Sequence, residues 1–274
     1  MLLQVKRTFV DGPFGQIHAR VARPARADKA AIVCLHMSPK SGRDFADVMP
    51  YLALDRAVVA PDNPGHGESD LPPVEPPVTV EDYAQSAWHA VDALVSTPVH
   101  LIGYHTGSMV ALEMIHSRPQ DVASVVNISA PVYSASEQTA MASYFDPIPL
   151  DEEGSRFRIN WERAMQHRGP GVTLEMLAAS YAENLRAGDA YEWGHRAAFA
   201  YVPTYNERLK KLEHPLFVMN INDICFDETK RAQPLIRNGR YAEYLQWGQG
   251  FLNAFPREAA GELNHFIEDV EGNE

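Results

Sequence analysis

Short apolar runs that alternate with helix-spaced segments constrain this chain more than any other feature of its sequence. Residues 30–35 and 56–60 read as strands buried on both faces, a pattern that needs a sheet covered on both sides, and residues 99–104 and 122–128 read as further strands. Between them, residues 43–54 carry Phe45, Val48, Met49 and Leu52 at helical spacing, and residues 106–117 form another helical segment. Thr79, with Asp82 three residues later, marks the N-cap of a helix running to about residue 94. Strand and helix in alternation predict a mostly parallel sheet joined by right-handed crossovers, an α/β fold. Residues 4–10 and 16–22 flank a turn-rich segment and read as an N-terminal hairpin. The rhythm stops at Pro131, and residues 174–185 and 193–201 show helical spacing with no strand run. It resumes with strands at 215–220 and 240–246 and a closing helix at 258–268. The expected division is a core domain of residues 1–131 and 213–274, with residues 132–212 as a helical cap.

A formal charge of −12 without clustered Lys and Arg argues against nucleic acid as a partner, because a polyanion binder displaces counterions with cations. Cys34 and Cys225 are too few and too scattered for a disulfide framework. No run of the roughly 18 apolar residues that a membrane helix needs is present, nor an N-terminal apolar stretch of signal-peptide length. A cytoplasmic protein with no membrane partner is the expectation. The oligomeric state is not readable, and a homodimer stays open.

At Gly103-Tyr104-His105-Thr106-Gly107, between a strand and a helix, the sequence resembles the nucleophile elbow G-x-S-x-G of the α/β-hydrolase family. The seat of the nucleophile holds His105, and Ser108 falls past the motif. Leu35-His36-Met37-Ser38-Pro39 resembles the family's oxyanion loop, with Met37 where glycine is usual, and residues 60–70, including Asp62 and His66, resemble its loop after the fourth strand. Three motifs in the right order imply the α/β-hydrolase fold, with the oxyanion hole formed by backbone amides of Thr106 and the Met37–Ser38 loop. The family's acid position falls on Asp223, with Asp227 as a weaker candidate, and its base position on Gln249 in Trp247-Gly248-Gln249-Gly250. His265 lies in the closing helix and is not expected to serve as the base. The resemblance thus implies the set His105, Asp223 and Gln249.

These substitutions alter the chemistry that the resemblance implies. A glutamine amide neither gains nor loses a proton near neutral pH, whereas an imidazole of ordinary pKa about 6.5 can act as base, acid or acyl nucleophile. The reading is a cofactor-independent enzyme acting on a small carbonyl-bearing molecule. Ester, lactone or carbon–carbon hydrolysis is implied by the family, and a lyase, decarboxylation or cyclisation step by the altered triad. A non-catalytic small-molecule-binding protein that keeps the pocket is the alternative. Candidate pocket residues are His36, Tyr104, Trp161, Trp193 and His195, with Tyr181 and Tyr205 as further aromatics of the cap. No metal is expected. His36, His105 and Asp223 would be a ligand set only if they converged.

Overall fold

The computed structural model describes residues 3–272. An N-terminal hairpin, β1 (Lys6–Gly12) and β2 (Gly15–Ala22), closes on a two-residue turn in which Gly12 faces Gly15. β3 (Ile32–Leu35) leads through a 3₁₀ turn at Gly42–Phe45 and the short α1 (Met49–Leu52) to β4 (Val58–Pro61). Then come α2 (Val80–Leu94), β5 (Val99–Tyr104), α3 (Thr106–Ser117) and β6 (Val122–Ile128). Four helices follow, α4 (Ala135–Tyr144), α5 (Ser155–Gln166), α6 (Leu174–Arg186) and α7 (Trp193–Lys211), and they add no strand to the sheet. The chain ends with β7 (Leu216–Ile221), α8 (Phe226–Lys230), β8 (Gly239–Tyr244), α9 (Phe251–Ala254) and α10 (Pro256–Gly272). No helix among the described residues is long and apolar enough to cross a membrane.

The strands lie in the order β1-β2-β4-β3-β5-β6-β7-β8, antiparallel from β1 to β4 and parallel from there on. The doubly buried runs are explained by what covers each face. In β7, Leu216 and Val218 face a core built with α2, α3 and α7, while Phe217, Met219 and Ile221 face one built with α1, α9 and α10. Arg56 ties α10 to the start of β4 through a bidentate pair with Glu271, at 2.7 and 2.9 Å. Because β3 sits between β4 and β5, crossovers leave its neighbourhood in both directions. That opens a crevice beyond the C-terminal ends of β3 and β5, the usual ligand position in such sheets.

The helix at α2 starts at Thr79 with the capping box expected from Thr79 and Asp82. Two other helices depart from their sequence reading. Residues 43–54 do not form one helix, because Pro50 in its middle would lose an amide bond and press on the carbonyl four residues back. The chain instead breaks, and α1 restarts with Pro50 in its first turn. In contrast, α7 runs through Pro203 to Lys211, well past the expected end at residue 201. Proline cannot bond the Phe199 carbonyl, but the Gln138 side-chain amide from α4 donates to that oxygen at 2.6 Å. Tyr201, Val202, Tyr205 and Leu209 on this extension bury against the α2–α3 layer, so by packing the second half of α7 belongs to the core rather than to the inserted helices.

Candidate active site

One residue separates β5 from α3, and it is His105, with φ 47° and ψ −111°. A non-glycine residue in such a conformation stores about 1–3 kcal/mol and persists only where its surroundings hold it. Here the His105 amide donates to the Ile128 carbonyl at 3.1 Å and the Ser108 amide donates to the His105 carbonyl at 2.9 Å. The buried Ser108 hydroxyl donates to the Gly103 carbonyl at 3.0 Å, which fixes it as a brace of the turn rather than a nucleophile. The two glycines are a steric requirement. A Cβ on Gly103 would lie 2.5 Å from the Gly107 carbonyl carbon, and one on Gly107 would lie 2.5 Å from that of Leu35.

Beyond β7 the chain turns so that Asp223 meets this histidine: His105 Nε2 stands 2.9 Å from Asp223 Oδ2. Asp223 is buried and well supplied with donors, since Oδ2 also accepts from Ser129 Oγ at 2.7 Å and Oδ1 from the Cys225 amide at 2.9 Å. Burial alone would raise its pKa, but the adjacent imidazole and these hydrogen bonds hold it below the ordinary carboxylate value. An ionised carboxylate only accepts, so Nε2 carries a proton, and in the neutral ring the lone pair falls on Nδ1. The ring is 18% exposed and lines two chambers. The carboxylate therefore selects one tautomer of the neutral imidazole.

The larger chamber, about 120 Å³, has apolar walls such as Met176, Leu177 and Leu252 but is the polar one of the two, because Ser38, Lys40, Asp44, Tyr104, Arg163 and His167 also line it. The smaller, about 50 Å³, is apolar and is walled by Met109, Tyr133, Met141, Phe145 and Phe199. His105, Ser38, Phe145, His195 and Ile224 line both. Ser38 Oγ, Asp44 Oδ2, Tyr104 OH, His167 Nε2 and Asn184 Oδ1 are buried in these walls without a hydrogen-bond partner among the described residues. Buried polar atoms are normally satisfied, so a cluster of unsatisfied ones around a cavity is what a bound polar molecule would complete.

The structure places the residues singled out from sequence as follows. Met37, Ser38, Tyr104, His105, Gln249 and His195 line the polar chamber, and Thr106 lines the apolar one. As the first residue of α3, Thr106 has an amide with no acceptor inside its helix. The Gln249 side chain makes no hydrogen bond to His105 or Asp223 among the described residues, while its carbonyl accepts from the Gly169 amide at 3.1 Å. His265 is on the outer face of α10, 62% exposed and 3.6 Å from Asp269.

Three pocket assignments need correction. His36 is fully buried behind the chamber. Its Nδ1 donates to the Met37 carbonyl at 2.8 Å and its Nε2 accepts from the Asn63 amide at 2.9 Å, so it locks the loop after β3 to the loop after β4. Trp161 packs on Tyr181, and Trp193 packs against the core; neither lines a chamber. Helical aromatics went to helix packing, which also claimed Tyr205, wholly buried. Asp62 is scaffolding, accepting from the Gly42 amide at 2.7 Å and the Glu68 amide at 3.0 Å, and His66 is buried with Nδ1 donating to the Pro64 carbonyl. Asp227 pairs with Lys230 at 3.0 Å.

Lys40, Asp44, Arg163 and His167 were not singled out from sequence. They sit in a loop, a 3₁₀ turn and a surface-patterned helix and its C-cap, where no local pattern marks them. Donor atoms of His105, Asp223 and Cys225 lie within 4.8 Å of one another, so these three, and not His36, form the set that could approach a metal. The Cys225 thiol lies against Tyr133 OH at 3.2 Å, and burial followed by the Asp223 charge pushes its pKa up. A metal there would have to displace that proton and compete with donors already on Asp223.

Burial also sets the acid stability of the fold. It depresses His66 to about 3 and His100 to about 4, each from an ordinary 6.5, and it pushes Asp44 up to about 6. Below pH 6.5 the unfolded chain takes up protons that the two folded histidines refuse, so stability falls with pH. Asp44 acts oppositely, because its folded form takes a proton first as pH drops below about 6. Two groups outweigh one, so the melting temperature should drop steadily between pH 6.5 and 4. Asp44→Asn should steepen that drop, and a flat profile would contradict the assignment.

Sheet order, the strained turn after β5 and the acid after β7 together define a protein of the α/β-hydrolase fold. Comparison with known proteins agrees: residues 30–151 match the family model described as alpha/beta hydrolase fold. A proline iminopeptidase of Lactobacillus helveticus is 28% identical over 231 residues, 73% of this chain and 76% of that protein. The magnesium-chelatase 30 kDa subunit of Rhodobacter capsulatus is 32% identical over 104 residues, which span 38% of this chain and only 36% of the subunit. Among solved structures, an esterase from Exiguobacterium antarcticum superimposes with a TM-score of 0.78 at 16% identity, covering 96% of this chain and all of that one.

Proposed function

We propose that this chain is an enzyme that acts on a small carbonyl-bearing molecule, using His105 in place of a serine nucleophile. The observation that carries the reading is the 2.9 Å bond between His105 Nε2 and the buried Asp223 carboxylate, on a histidine that lines both chambers and whose neutral ring would keep the Nδ1 lone pair for chemistry. In an acyl-transfer step Nδ1 would attack the carbonyl carbon and the carbonyl π electrons would move to its oxygen. The Thr106 amide and the Met37–Ser38 loop are the donors for that oxyanion, each worth roughly 3 kcal/mol of barrier in well-aligned sites. Collapse would expel the leaving group, protonated by water, and a second water would free the imidazole. In a lyase or proton-transfer step the same Nδ1 would take a substrate proton. In both, Asp223 would stabilise the positive charge that develops on the ring. Gln249 would hydrogen-bond the substrate, and within residues 132–212 the helices α4 to α6 and the first half of α7 would act as the cap.

The decisive experiment incubates the protein with excess esters, lactones and small keto acids and follows consumption. More than one equivalent of at least one compound should disappear, before and after treatment with a serine-directed fluorophosphonate. Saturating binding without consumption would make the chain a binding protein. Stoichiometric fluorophosphonate labelling traced to Ser38 would move the nucleophile away from His105.

A further inference from the structure

The whole chain carries a formal charge of −12, yet the polar chamber beside His105 is lined by Lys40, Arg163 and Arg168 against a single lining carboxylate, Asp44. None of the three cations forms an ion pair with a carboxylate among the described residues. Lys40 is only 6% exposed, and its ammonium donates to the hydroxyl of Ser180 and, at 3.4 Å, to the Ser180 carbonyl. Arg163 donates to the Tyr144 carbonyl at 2.9 Å and to Asn160 Oδ1 at 3.4 Å, with its guanidinium 4.5 Å over the Tyr144 ring. All of these acceptors are neutral. Asp44 and Glu183 act on Lys40 through space, but Glu183 is engaged by Ser41 Oγ at 2.8 Å and neither stands within ion-pair distance. A buried cation held only by neutral groups is costly unless an anion arrives to meet it.

Across His105 the second chamber offers the opposite chemistry, with Met109, Tyr133, Met141, Phe145 and Phe199 and no charged side chain other than histidine. A molecule spanning both chambers would lie along a boundary that His105 shares with Ser38, Phe145, His195 and Ile224. We propose that the substrate is a carboxylate-bearing carbonyl compound with an apolar arm. Its carboxylate meets Lys40 and Arg163, its arm fills the apolar chamber, and its reacting carbonyl lies between them at His105. This rests on the function proposed above for the same site.

Calorimetric titration with phenylbutyrate and its neutral twin phenylbutyramide tests the charge requirement without needing turnover. The acid should bind at least about tenfold more tightly than the amide, as expected for charge-assisted hydrogen bonds, and the gap should shrink with added salt. Lys40→Met and Arg163→Gln should each remove most of the gap by weakening the acid alone, while Arg163→Lys should keep part of it. If thermal melting shows that Lys40→Met does not fold, Arg163→Gln, on a half-buried helical position, carries the comparison. The same gap should survive in His105→Ala, so a failure of the catalytic reading and a failure of this one are separable. Equal affinities, a gap that persists in both charge-removing variants, or no binding by the acid would overturn the proposal.

Discussion

His105→Ala should lower turnover of any compound the protein consumes by at least about 100-fold, the scale of a lost general base or nucleophile. Ligand affinity should change far less, because the polar chamber's Lys40, Asp44, Arg163 and His167 remain. The fold should survive, since Asp223 keeps Ser129 Oγ and the Cys225 amide as donors. Asp223→Asn is the more discriminating change. Each carboxylate oxygen already accepts from a protein donor, Oδ2 from two and Oδ1 from one, so an amide NH₂ placed on either side meets a donor instead of an acceptor. The variant should lose the tautomer that leaves Nδ1 unprotonated, and with it the charge that stabilises the imidazolium. Its loss should approach but not exceed that of His105→Ala, because Asp223 acts only through the imidazole, with KM nearly unchanged and melting followed in parallel. Unchanged turnover in a folded His105→Ala protein would end the catalytic hypothesis.

Periodicity and steric motifs made much of this arrangement readable. The strand at Val99–Tyr104 and the helix at Thr106–Ser117 have the limits expected from sequence, because a doubly buried run and a glycine-flanked turn leave few alternatives. Asp223 is placed by chain order, one short turn past β7. Three-dimensional packing decided the rest. Pro203 is tolerated inside α7 only because Gln138, 65 residues earlier, satisfies the Phe199 carbonyl, and no local pattern announces such a partner. Ser129, which braces Asp223 from the end of β6, adopts φ 49° without a glycine to signal it. The polar chamber draws Lys40 and Asp44 from one loop region and Arg163 and His167 from α5 and its C-cap, segments whose surface-like composition conceals a shared wall.

Gly107→Ala should unfold the protein more readily, and here local propensity and packing predict opposite signs. Gly107 is the second residue of α3, where alanine would favour the helix by about 1 kcal/mol. The added Cβ, however, would fall onto the Leu35 carbonyl oxygen, 2.5 Å from the Leu35 carbon and 3.0 Å from the His36 oxygen. These are backbone atoms at the end of β3, so no side-chain rotation relieves the clash. Moving α3 away would break the bonds that hold the turn, from the His105 amide to the Ile128 carbonyl and from the Ser108 hydroxyl to the Gly103 carbonyl. Overpacking of this kind costs roughly 3 kcal/mol, which outweighs the propensity gain and in a chain of this size should lower Tm by about 5–10 °C. The same displacement would carry the Thr106 amide and His105 off their positions, so turnover should fall further than the melting shift alone explains. A Gly107→Ala protein with unchanged or higher Tm would show that the turn has room to spare, and that the two-glycine spacing reflects something other than this close approach.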